Sequence, residues 1–406
     1  MPNKSAIYVV LLIVMIDAIG IGLIMPVMPD LLQELGGSTL ANAAIWGGIL
    51  STVFAAMQFL FGPLVGNISD RFGRRKVLLI SLLVMAFDYV VMGFAHALWL
   101  LFITRVLGGI TAANHSTAAA VIADISKPEE KAQNFGLLGA AFGIGFILGP
   151  MIGGVMSIYG PRAPFFAAAA LTLLIAILAW FLLPETVTDK NRRSFEWSRA
   201  LPWGAFAAVG RIAGQTRMMM VLFFQEIAFV VYPAVWAFYT IYKFGWEPWL
   251  VGLSLGAFGA MMALSQGVLI RLVIPRLGDS KTALLGLSME VVAFVGIAMA
   301  PATWAIFALL PISAIGMLAG PAMQSIMSRA VPDDAQGELQ GVIGSVRAIA
   351  TIIAPLIMTG LFGYFTREGA AFAFPGAPFI LSALLVGVSI WIFRGWRKDV
   401  SLRPAE

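Results

Sequence analysis

The sequence contains no cysteine, only two histidines and few charged residues. Without cysteine the chain cannot form a disulfide, a thiolate metal site or a cysteine nucleophile. Two histidines, His96 and His115, are too few for a histidine-based metal cage. Charged residues occupy 12% of the 406 positions, about half of the ~25% typical of a soluble protein. These shortages exclude disulfide-rich proteins and metal sites built from cysteine or from a cage of histidines, and they predict a protein that lies in a lipid bilayer.

Hydrophobic residues make up 60% of the chain, and 42 residues are glycine, which membrane helices tolerate because it lets backbones approach closely. A helix needs roughly 20 apolar residues to cross a bilayer. Twelve runs of this kind lie at 6–28, 43–65, 77–95, 97–122, 132–158, 162–183, 218–242, 250–274, 282–300, 303–326, 339–365 and 374–393. The first run is too long for the apolar region of a signal peptide and carries Asp17, so we interpret it as the first span.

The longest polar stretch, 184–217, divides the twelve runs into two sets of six. The halves also repeat: RFG at 71–73 corresponds to RLG at 276–278, and glycine, glycine and proline at 136, 139 and 150 correspond to the same residues at 341, 344 and 355. Duplicated six-helix units are typical of transporters built around a central site. We therefore predict an all-α membrane protein with twelve transmembrane helices in two pseudo-symmetric six-helix bundles, 1–183 and 218–406, joined by a cytoplasmic loop. Within that loop, 197–209 is either an amphipathic stretch on the membrane surface or an ordered linker.

Lysine and arginine are distributed unevenly between the two sides of the predicted membrane. If both termini lie inside, 21 of the 26 basic residues fall inside, 3 fall outside, and Arg105 and Arg347 lie within spans. Because positive residues concentrate in cytoplasmic loops, we predict that both termini are cytoplasmic and that the protein lies in a bacterial inner membrane. The net charge of +5 is carried by these short loops rather than by a soluble domain, so we expect no nucleic-acid partner.

Six charged residues are predicted to lie inside the membrane: Asp17, Asp88, Arg105, Glu226, Glu290 and Arg347. At about 2.5–3.5 kcal/mol each, they would cost on the order of 15 kcal/mol unless they pair or face water. Four acids cannot all pair with two bases, so some acids must be hydrated or protonated part of the time, as a proton-coupled carrier requires. For any single acid a packing role is the alternative. Arg347 either neutralises an acid in its own half or contacts a substrate.

The loop after the second span, 66–76, contains five charged residues and two glycines in a tight turn. An arginine fork binds a carboxylate in a bidentate manner, and Asp70 can accept hydrogen bonds from a helix N-terminus. The loop is therefore a candidate latch between two conformations. A simple positive anchor is the alternative, although it does not account for the glycine and aspartate positions.

The fifth span carries glycines four residues apart, at 145, 149 and 153, together with Pro150. Glycines at this spacing place exposed backbone on one face of a helix, and proline weakens the helix where it occurs. The pattern predicts either a hinge or a close-packing face.

These motifs, in this order, resemble the major facilitator superfamily. The loop 66–76 is similar to that superfamily's signature after helix two, and Arg105 with Gly109 is similar to its helix-four motif. The helix-five motif of its drug–proton antiporters is matched by Gly145, Gly149, Pro150, Gly153 and Gly154. More narrowly, the helix-one sequence 17–29 (DAIGIGLIMPVMP), with DRFGRR at 70–75 and VIAD at 121–124, resembles the tetracycline–proton antiporters. The resemblance covers nearly the whole chain and is strongest in the first half.

The resemblance implies roles for the matching residues. Asp17, Gln58 and Asp88 would lie on the translocation path, and Glu290 stands where the family has an aspartate in helix nine. Asp70 and Arg74 would form a gating pair, with Asp124 as their partner. The remaining gating positions are Gly66, Arg71 and Gly73.

The second half departs from that family. Met262 stands where well-known members have histidine, and an apolar residue, Val231, replaces a polar one before the helix-seven proline. Glu226 and Arg347 are additional charges. Proton coupling therefore transfers from the resemblance more readily than the identity of the substrate.

Taken together, the sequence predicts a transporter, not an enzyme, that works by alternating access. The specific hypothesis is export of tetracycline as a metal chelate, or of a similar amphiphilic drug, in exchange for protons. Asp17→Asn and Asp88→Asn are each expected to abolish coupled export while leaving expression intact. No cofactor is expected, although the drug can arrive as a Mg²⁺ chelate, and the chain is expected to act as a monomer. Two alternatives keep the fold: a broader multidrug exporter, or an organic-anion symporter that uses Arg347. A membrane enzyme or a receptor has no supporting motif.

Overall fold

The computed structural model describes residues 4–36, 39–112, 114–127, 129–188, 192, 194–197, 215–332 and 335–401. Within these ranges the regular secondary structure is entirely helical. Twelve helices are long and apolar enough to cross a membrane, which confirms the predicted number of spans. In chain order, α1 to α12 are Ala6–Ile24, Leu40–Phe72, Arg74–Gly93, Leu98–Ile125, Gln133–Tyr159, Ala163–Leu182, Thr216–Phe244, Pro248–Leu277, Asp279–Met299, Thr303–Arg329, Gln336–Thr366 and Ala377–Arg397.

Two tight junctions between consecutive spans depend on glycine. Gly73 separates α2 from α3 with φ of +112°, and Gly278 separates α8 from α9 with φ of +73°. Residues with a Cβ rarely adopt such angles, so glycine lets the chain reverse in a single residue. A short helix, Met28–Gly36, follows α1, and α4 is divided into Leu98–Thr111 and Asn114–Ile125.

Contacts group the residues into two compact units. The first unit is Met1–Ser38, Val53–Pro202 and Glu247–Gly256, and the second is Thr39–Thr52, Trp203–Trp246 and Ala257–Glu406. The predicted bundle boundaries at 183 and 218 stay a prediction. Most of the predicted amphipathic stretch 197–209 lies outside the described residues, as does the side chain of His115.

The first unit has an aliphatic core. Side chains from α1, α3, α4 and α6 are fully buried together, among them Ile13, Leu82, Ile122 and Ile175. The large side chains on the outer faces are also apolar, for example Phe87 and Trp180. In water such a surface would be unstable, but lipid tails are as apolar as these side chains. The exposed apolar side chains are therefore consistent with spans whose outer faces contact lipid.

The second unit has an aromatic core centred on α7. Ring centroids lie 4.4 Å apart for Tyr232 and Phe258 and 4.8 Å apart for Tyr239 and Phe379. Tilted and edge-on pairs at such distances are favourable beyond the area that they bury. The Tyr239 hydroxyl donates to the Ile297 carbonyl, so the polar tip of this buried ring is satisfied.

The repeat is also visible at the ends of α3 and α9. Arg162 donates to the carbonyl oxygens of Gly93 and Ala95 at 3.0 and 2.6 Å. Lys243 donates to the carbonyl of Ala298, 205 residues after Gly93, at 2.9 Å. A basic side chain at a helix C-terminus satisfies carbonyls that have no partner in the helix and complements the helix dipole. Equivalent helix ends are thus stabilised in the same way by residues from unrelated positions.

Candidate functional site

The six intramembrane charges fall into two classes. Asp88 and Arg105 form an ion pair at 2.7 Å in the first unit, and Glu226 and Arg347 form one at 2.7 Å in the second. No basic side chain among the described residues pairs with the other two acids, Asp17 and Glu290. Among these six residues, each unit thus contains one ion pair and one acid that has no counter-ion in the part of the chain that the structure describes.

The Asp88–Arg105 pair is buried. The Asp88 side chain is 5% exposed and that of Arg105 is 14% exposed. The guanidinium also lies 5.2 Å from the centroid of the Phe54 ring. Gly108 makes room for the pair, since a Cβ there would come within 3.2 Å of the Asp88 carboxylate. Removing one member of such a pair strands a buried charge, at a cost of about 3–5 kcal/mol.

The two acids without a counter-ion are each held by a side-chain amide. The Asn114 amide donates to Asp17 at 3.1 Å, and the Gln225 amide donates to Glu290 at 2.8 Å. Glu290 is 8% exposed, and its second oxygen has no hydrogen-bond partner among the described residues. An amide stabilises a carboxylate without neutralising it. These carboxyl groups therefore remain free to exchange a proton without breaking an ion pair.

Gln58 supports the first of these sites indirectly. Its amide donates at 3.0 Å to the carbonyl of Ala112, which lies at the interruption of α4. Asn114, the donor to Asp17, begins the second segment of α4. Gln58 therefore contacts the backbone next to the Asp17 site rather than the carboxyl group itself.

The Glu226–Arg347 pair is more open than its counterpart. Its side chains are 26% and 49% exposed, respectively. The pair joins α7 to α11 within the second unit. The half-exposed Arg347 guanidinium can present its remaining donors to a further ligand, whereas the Arg105 side chain is only 14% exposed.

Residues around the junction of α2 and α3 form a cluster with two other segments of the first unit. The loop predicted at 66–76 is wrong, since α2 continues to Phe72 and α3 begins at Arg74, which leaves Gly73 alone between them. Arg74 contacts Asp124 at 2.7 Å and Asp70 at 3.4 Å. Glu185, which follows α6, accepts hydrogen bonds from the backbone N–H groups of Arg74, Thr186 and Val187 at 2.9 to 3.0 Å. We call Asp70, Arg74, Asp124 and Glu185 the loop cluster. Glu185, and not Asp70 as suggested by the sequence, accepts from the helix N-terminus.

Gly73 is the residue that lets Glu185 approach. Besides its positive φ, a Cβ at this position would collide with the Glu185 carboxylate. Gly66 and Arg71 contact other groups. The Gly66 carbonyl accepts a hydrogen bond from the Ser69 hydroxyl, and the Arg71 guanidinium lies 5.1 Å from the centroid of the Phe72 ring. Only part of the predicted gating motif therefore meets in space.

The second unit contains an ion pair at the positions equivalent to Arg74 and Asp124, with the acid and the base exchanged. Asp279 and Arg329 contact each other at 3.0 Å. These positions follow Arg74 and Asp124 by 205 residues each, the offset of the sequence repeat. The first pair joins the first residue of α3 to the end of α4, and the second joins the first residue of α9 to the end of α10. Both α3 and α9 begin directly after a glycine of positive φ. The geometry is repeated while the sign at each position is reversed.

The glycines of α5 pack against α1. A Cβ at Gly145, Gly149 or Gly153 would collide with a backbone carbonyl of α1, at Met15, Ile19 or Leu23, respectively. Gly154 and Pro150 contact the first turns of α8, around Trp249 and Gly252. The helix continues through Pro150 without a break. The contacts favour the close-packing interpretation of this motif over the hinge.

Gly149→Leu is expected to lower the thermal stability of the purified protein and its yield in the membrane. The leucine must displace the α1 backbone, and overpacking of this kind costs about 1–3 kcal/mol, occasionally more. Gly139→Leu is the matched control, since no atom lies within 4 Å of a Cβ there. Thermal denaturation followed by size-exclusion chromatography compares them. Equal stability of the two variants would contradict the packing role.

Three relatives and two solved structures place the chain among known proteins. The sequence matches the Major Facilitator Superfamily profile over residues 10–355. It is 35% identical to the class C tetracycline resistance protein of Escherichia coli, covering 99% of this chain and 100% of that protein. It is 36% identical to the class G protein of Vibrio anguillarum, covering 96% and 98%. It is 26% identical to multidrug resistance protein 2 of Bacillus subtilis, covering 98% and 96%.

The fold is similar to that of solved transporters. A bacterial homologue of the human lysosomal transporter Spinster superposes with a TM-score of 0.78 at 16% identity, covering 100% of both chains. The human organic anion transporter MFSD10 superposes with a TM-score of 0.71 at 24% identity, covering 97% of this chain and 100% of that one. At these identities the likeness concerns the fold alone.

Proposed function

This chain belongs to the Major Facilitator Superfamily, a family of transporters and not of enzymes, and from that premise we propose that it exports tetracycline as a metal chelate, or a similar amphiphilic drug, in exchange for protons. The observation that carries the proposal is the pair of acids, Asp17 and Glu290, that contact a side-chain amide and no basic side chain within the described ranges. The tetracycline resistance proteins at 35% and 36% identity support the drug class. The protein would act in a bacterial inner membrane with both termini in the cytoplasm.

The acids suit both the proton and the cargo. A carboxylate without a counter-ion inside the membrane is costly, and binding either a proton or a cation removes that cost. A metal chelate of the drug carries positive charge, so it competes with protons for the same carboxyl groups. Competition of this kind couples release of the drug on one side to uptake of a proton there. Asp17 is the residue that we assign to this exchange in the first unit.

The ion-paired residues have a different role in the proposal. Asp88 and Arg105 form an ion pair, so we assign them a dipole within the first unit and assign the proton exchange to Asp17. Asp88 thus holds Arg105 in place and joins α3, which carries Asp88, to α4, which carries Arg105. The loop cluster holds α3, α4 and the segment after α6 together at the predicted cytoplasmic end.

The energy available is sufficient for export. Exchange of one proton for one singly positive chelate moves no net charge, so the pH difference across the membrane drives it. One pH unit is worth about 1.4 kcal/mol, which supports about a tenfold drug gradient.

Proton movement in inside-out vesicles tests the proposal. A pH-sensitive dye reports an imposed gradient while tetracycline is added together with Mg²⁺. We expect the drug to dissipate the gradient in wild-type vesicles. No response from vesicles shown to contain the protein would reject tetracycline as the main cargo, and a panel of cationic drugs would then separate multidrug export from other cargo.

An organic-anion carrier is the second candidate, and the half-exposed Arg347 is the observation that favours it. Under the drug-export proposal, Arg347→Ala is expected to reduce transport by no more than about fivefold, since a partly exposed ion pair contributes up to about 1 kcal/mol. Arg347→Lys, which keeps the charge, is the matched control. Complete loss of ligand binding in Arg347→Ala, with binding kept in Arg347→Lys, would favour the anion carrier instead.

A further inference from the structure

A cavity of about 390 Å³ lies in the second unit at the predicted cytoplasmic end of its helices. It is formed by the end of α8, the start of α9, the end of α10 and the last turn of α12. The lining residues are Leu277, Gly278, Asp279, Ser280, Lys281, Ile326, Arg329 and Arg397. Three of them are basic and one is acidic, so the cavity carries a net positive charge.

The polar atoms of the cavity are only partly satisfied by the protein. Asp279 uses one carboxylate oxygen to bind Arg329 at 3.0 Å. Its side chain is 10% exposed, and its other oxygen has no hydrogen-bond partner among the described residues. The Ser280 hydroxyl is likewise buried without a partner there. The Arg329 side chain is 73% exposed, so most of its donors remain available. The cavity therefore offers cationic donors together with one acceptor that needs a donor.

The equivalent place in the first unit is filled by the chain itself. There the Glu185 carboxylate lies on the N–H of Arg74, at the start of α3. Asp279 occupies the corresponding position at the start of α9, where an open, basic cavity takes the place of that carboxylate. An anionic group supplied from outside would complete the second unit as Glu185 completes the first.

An apolar groove of about 500 Å³ lies along the same two helices, α9 and α12. Its lining is aliphatic apart from one tryptophan: Val291, Val295, Ile380, Ala383, Leu384, Gly387, Val388 and Trp391. At 1.5 Å per residue, the groove begins about 15 Å from Lys281 along α9 and about 9 Å from Arg397 along α12. These distances lie within the ~15 Å of hydrocarbon in one leaflet. A single amphiphile can therefore reach both features.

We propose that α9 and α12 hold an anionic phospholipid whose headgroup is of the phosphatidylglycerol type. The phosphate accepts from Lys281, Arg329 and Arg397, a glycerol hydroxyl donates to the free oxygen of Asp279, and one acyl chain lies in the groove. Basic pockets between membrane helices on the cytoplasmic side bind anionic headgroups in this way. A net-positive cavity prefers an anionic lipid over a zwitterionic one. The proposal goes beyond drug export and stands or falls independently of it.

Lipid titration of the purified full chain in detergent tests the headgroup site. Native mass spectrometry measures the Kd for dioleoyl phosphatidylglycerol, for dioleoyl phosphatidylethanolamine, and in competition with inorganic phosphate. The double variant Lys281→Gln with Arg397→Gln is expected to weaken phosphatidylglycerol binding about tenfold or more. Phosphatidylethanolamine should bind at least tenfold more weakly than phosphatidylglycerol to the wild type. The control Lys127→Gln with Lys131→Gln changes the net charge equally at exposed positions of the first unit.

Val388→Trp tests the groove, because the indole fills the space assigned to the acyl chain. It is expected to weaken phosphatidylglycerol binding severalfold, while Val155→Trp, at an exposed position of α5, leaves binding unchanged. Equal losses in the headgroup variant and its lysine control would overturn the site, as would equal binding of the two lipids. Displacement of the lipid by inorganic phosphate, with no effect of Val388→Trp, would assign the cavity to a small anion and reject the lipid.

Discussion

Asp17→Asn is expected to abolish drug accumulation driven by the proton gradient, so that the ratio across an inside-out vesicle falls from about tenfold for each unit of imposed pH difference to about one. Asparagine has nearly the same shape as aspartate, and its amide oxygen can still accept from Asn114, which now lies 3.1 Å from the carboxylate. The substitution removes the exchangeable proton and the negative charge while the packing remains. Uptake of radiolabelled tetracycline with Mg²⁺, measured beside the pH-sensitive dye, reports both losses.

The matched control is Asp30→Asn, in the short helix after α1. Burial raises the pKa of Asp30, so this residue is also a carboxyl group partly removed from water, but it lies outside the spans. It is expected to leave the accumulation ratio unchanged. A normal ratio in Asp17→Asn would show that the proton is carried elsewhere, with Glu290 as the next residue to test. Loss in both variants, at equal protein levels, would mean that the effect is not specific to Asp17 and would contradict its assigned role.

The Asp88 variant now has a different expected outcome from the one that the sequence suggested. Alone on a helix, Asp88 resembles Asp17 in residue type and in predicted depth. In the structure it neutralises Arg105 at 2.7 Å and is 5% exposed. Asp88→Asn would leave the arginine charge buried without a partner, so loss of folded protein is expected together with loss of export. The sequence could not separate these two acids, because pairing depends on how α3 and α4 are rotated toward each other.

Other features of the site differ in how far the sequence determines them. Hydropathy alone located the twelve spans, since each must present about 20 apolar residues in succession. Glycines at 145, 149 and 153 predicted one packed face, because every fourth residue of a helix lies on the same side. Gln225 and Asn114 were missed, since a single amide in a span has no periodic signal. Glu185 was missed for a similar reason: it reaches the loop cluster from a segment 111 residues beyond Arg74, and only the folded chain brings them together.

Arg74→Asp is expected to reduce transport more than tenfold, and adding Asp124→Arg is expected to restore a substantial part of it. The single change places a new carboxylate among Asp70, Asp124 and Glu185, where Arg74 now binds two of them. Losing one partner of a fully buried ion pair costs about 3–5 kcal/mol. The cost here is somewhat smaller, because the side chains of Arg74 and Asp124 are 13% and 16% exposed, respectively. Transport and membrane levels of both variants are measured in parallel.

The expectation of rescue follows from the second unit, where Asp279 and Arg329 already hold the exchanged charges at 3.0 Å. Aspartate at a helix N-terminus and arginine at a C-terminus also agree with the helix dipole, by about 0.3–1 kcal/mol each. Recovery should remain incomplete, because Asp70 and Glu185 still repel an acid at position 74, and adding Glu185→Gln should increase it. If the double variant recovers, the pair acts through charge complementarity and either sign pattern can serve. If it does no better than Arg74→Asp alone, the arginine itself is required at that helix end, and the inverted pair of the second unit has a separate role.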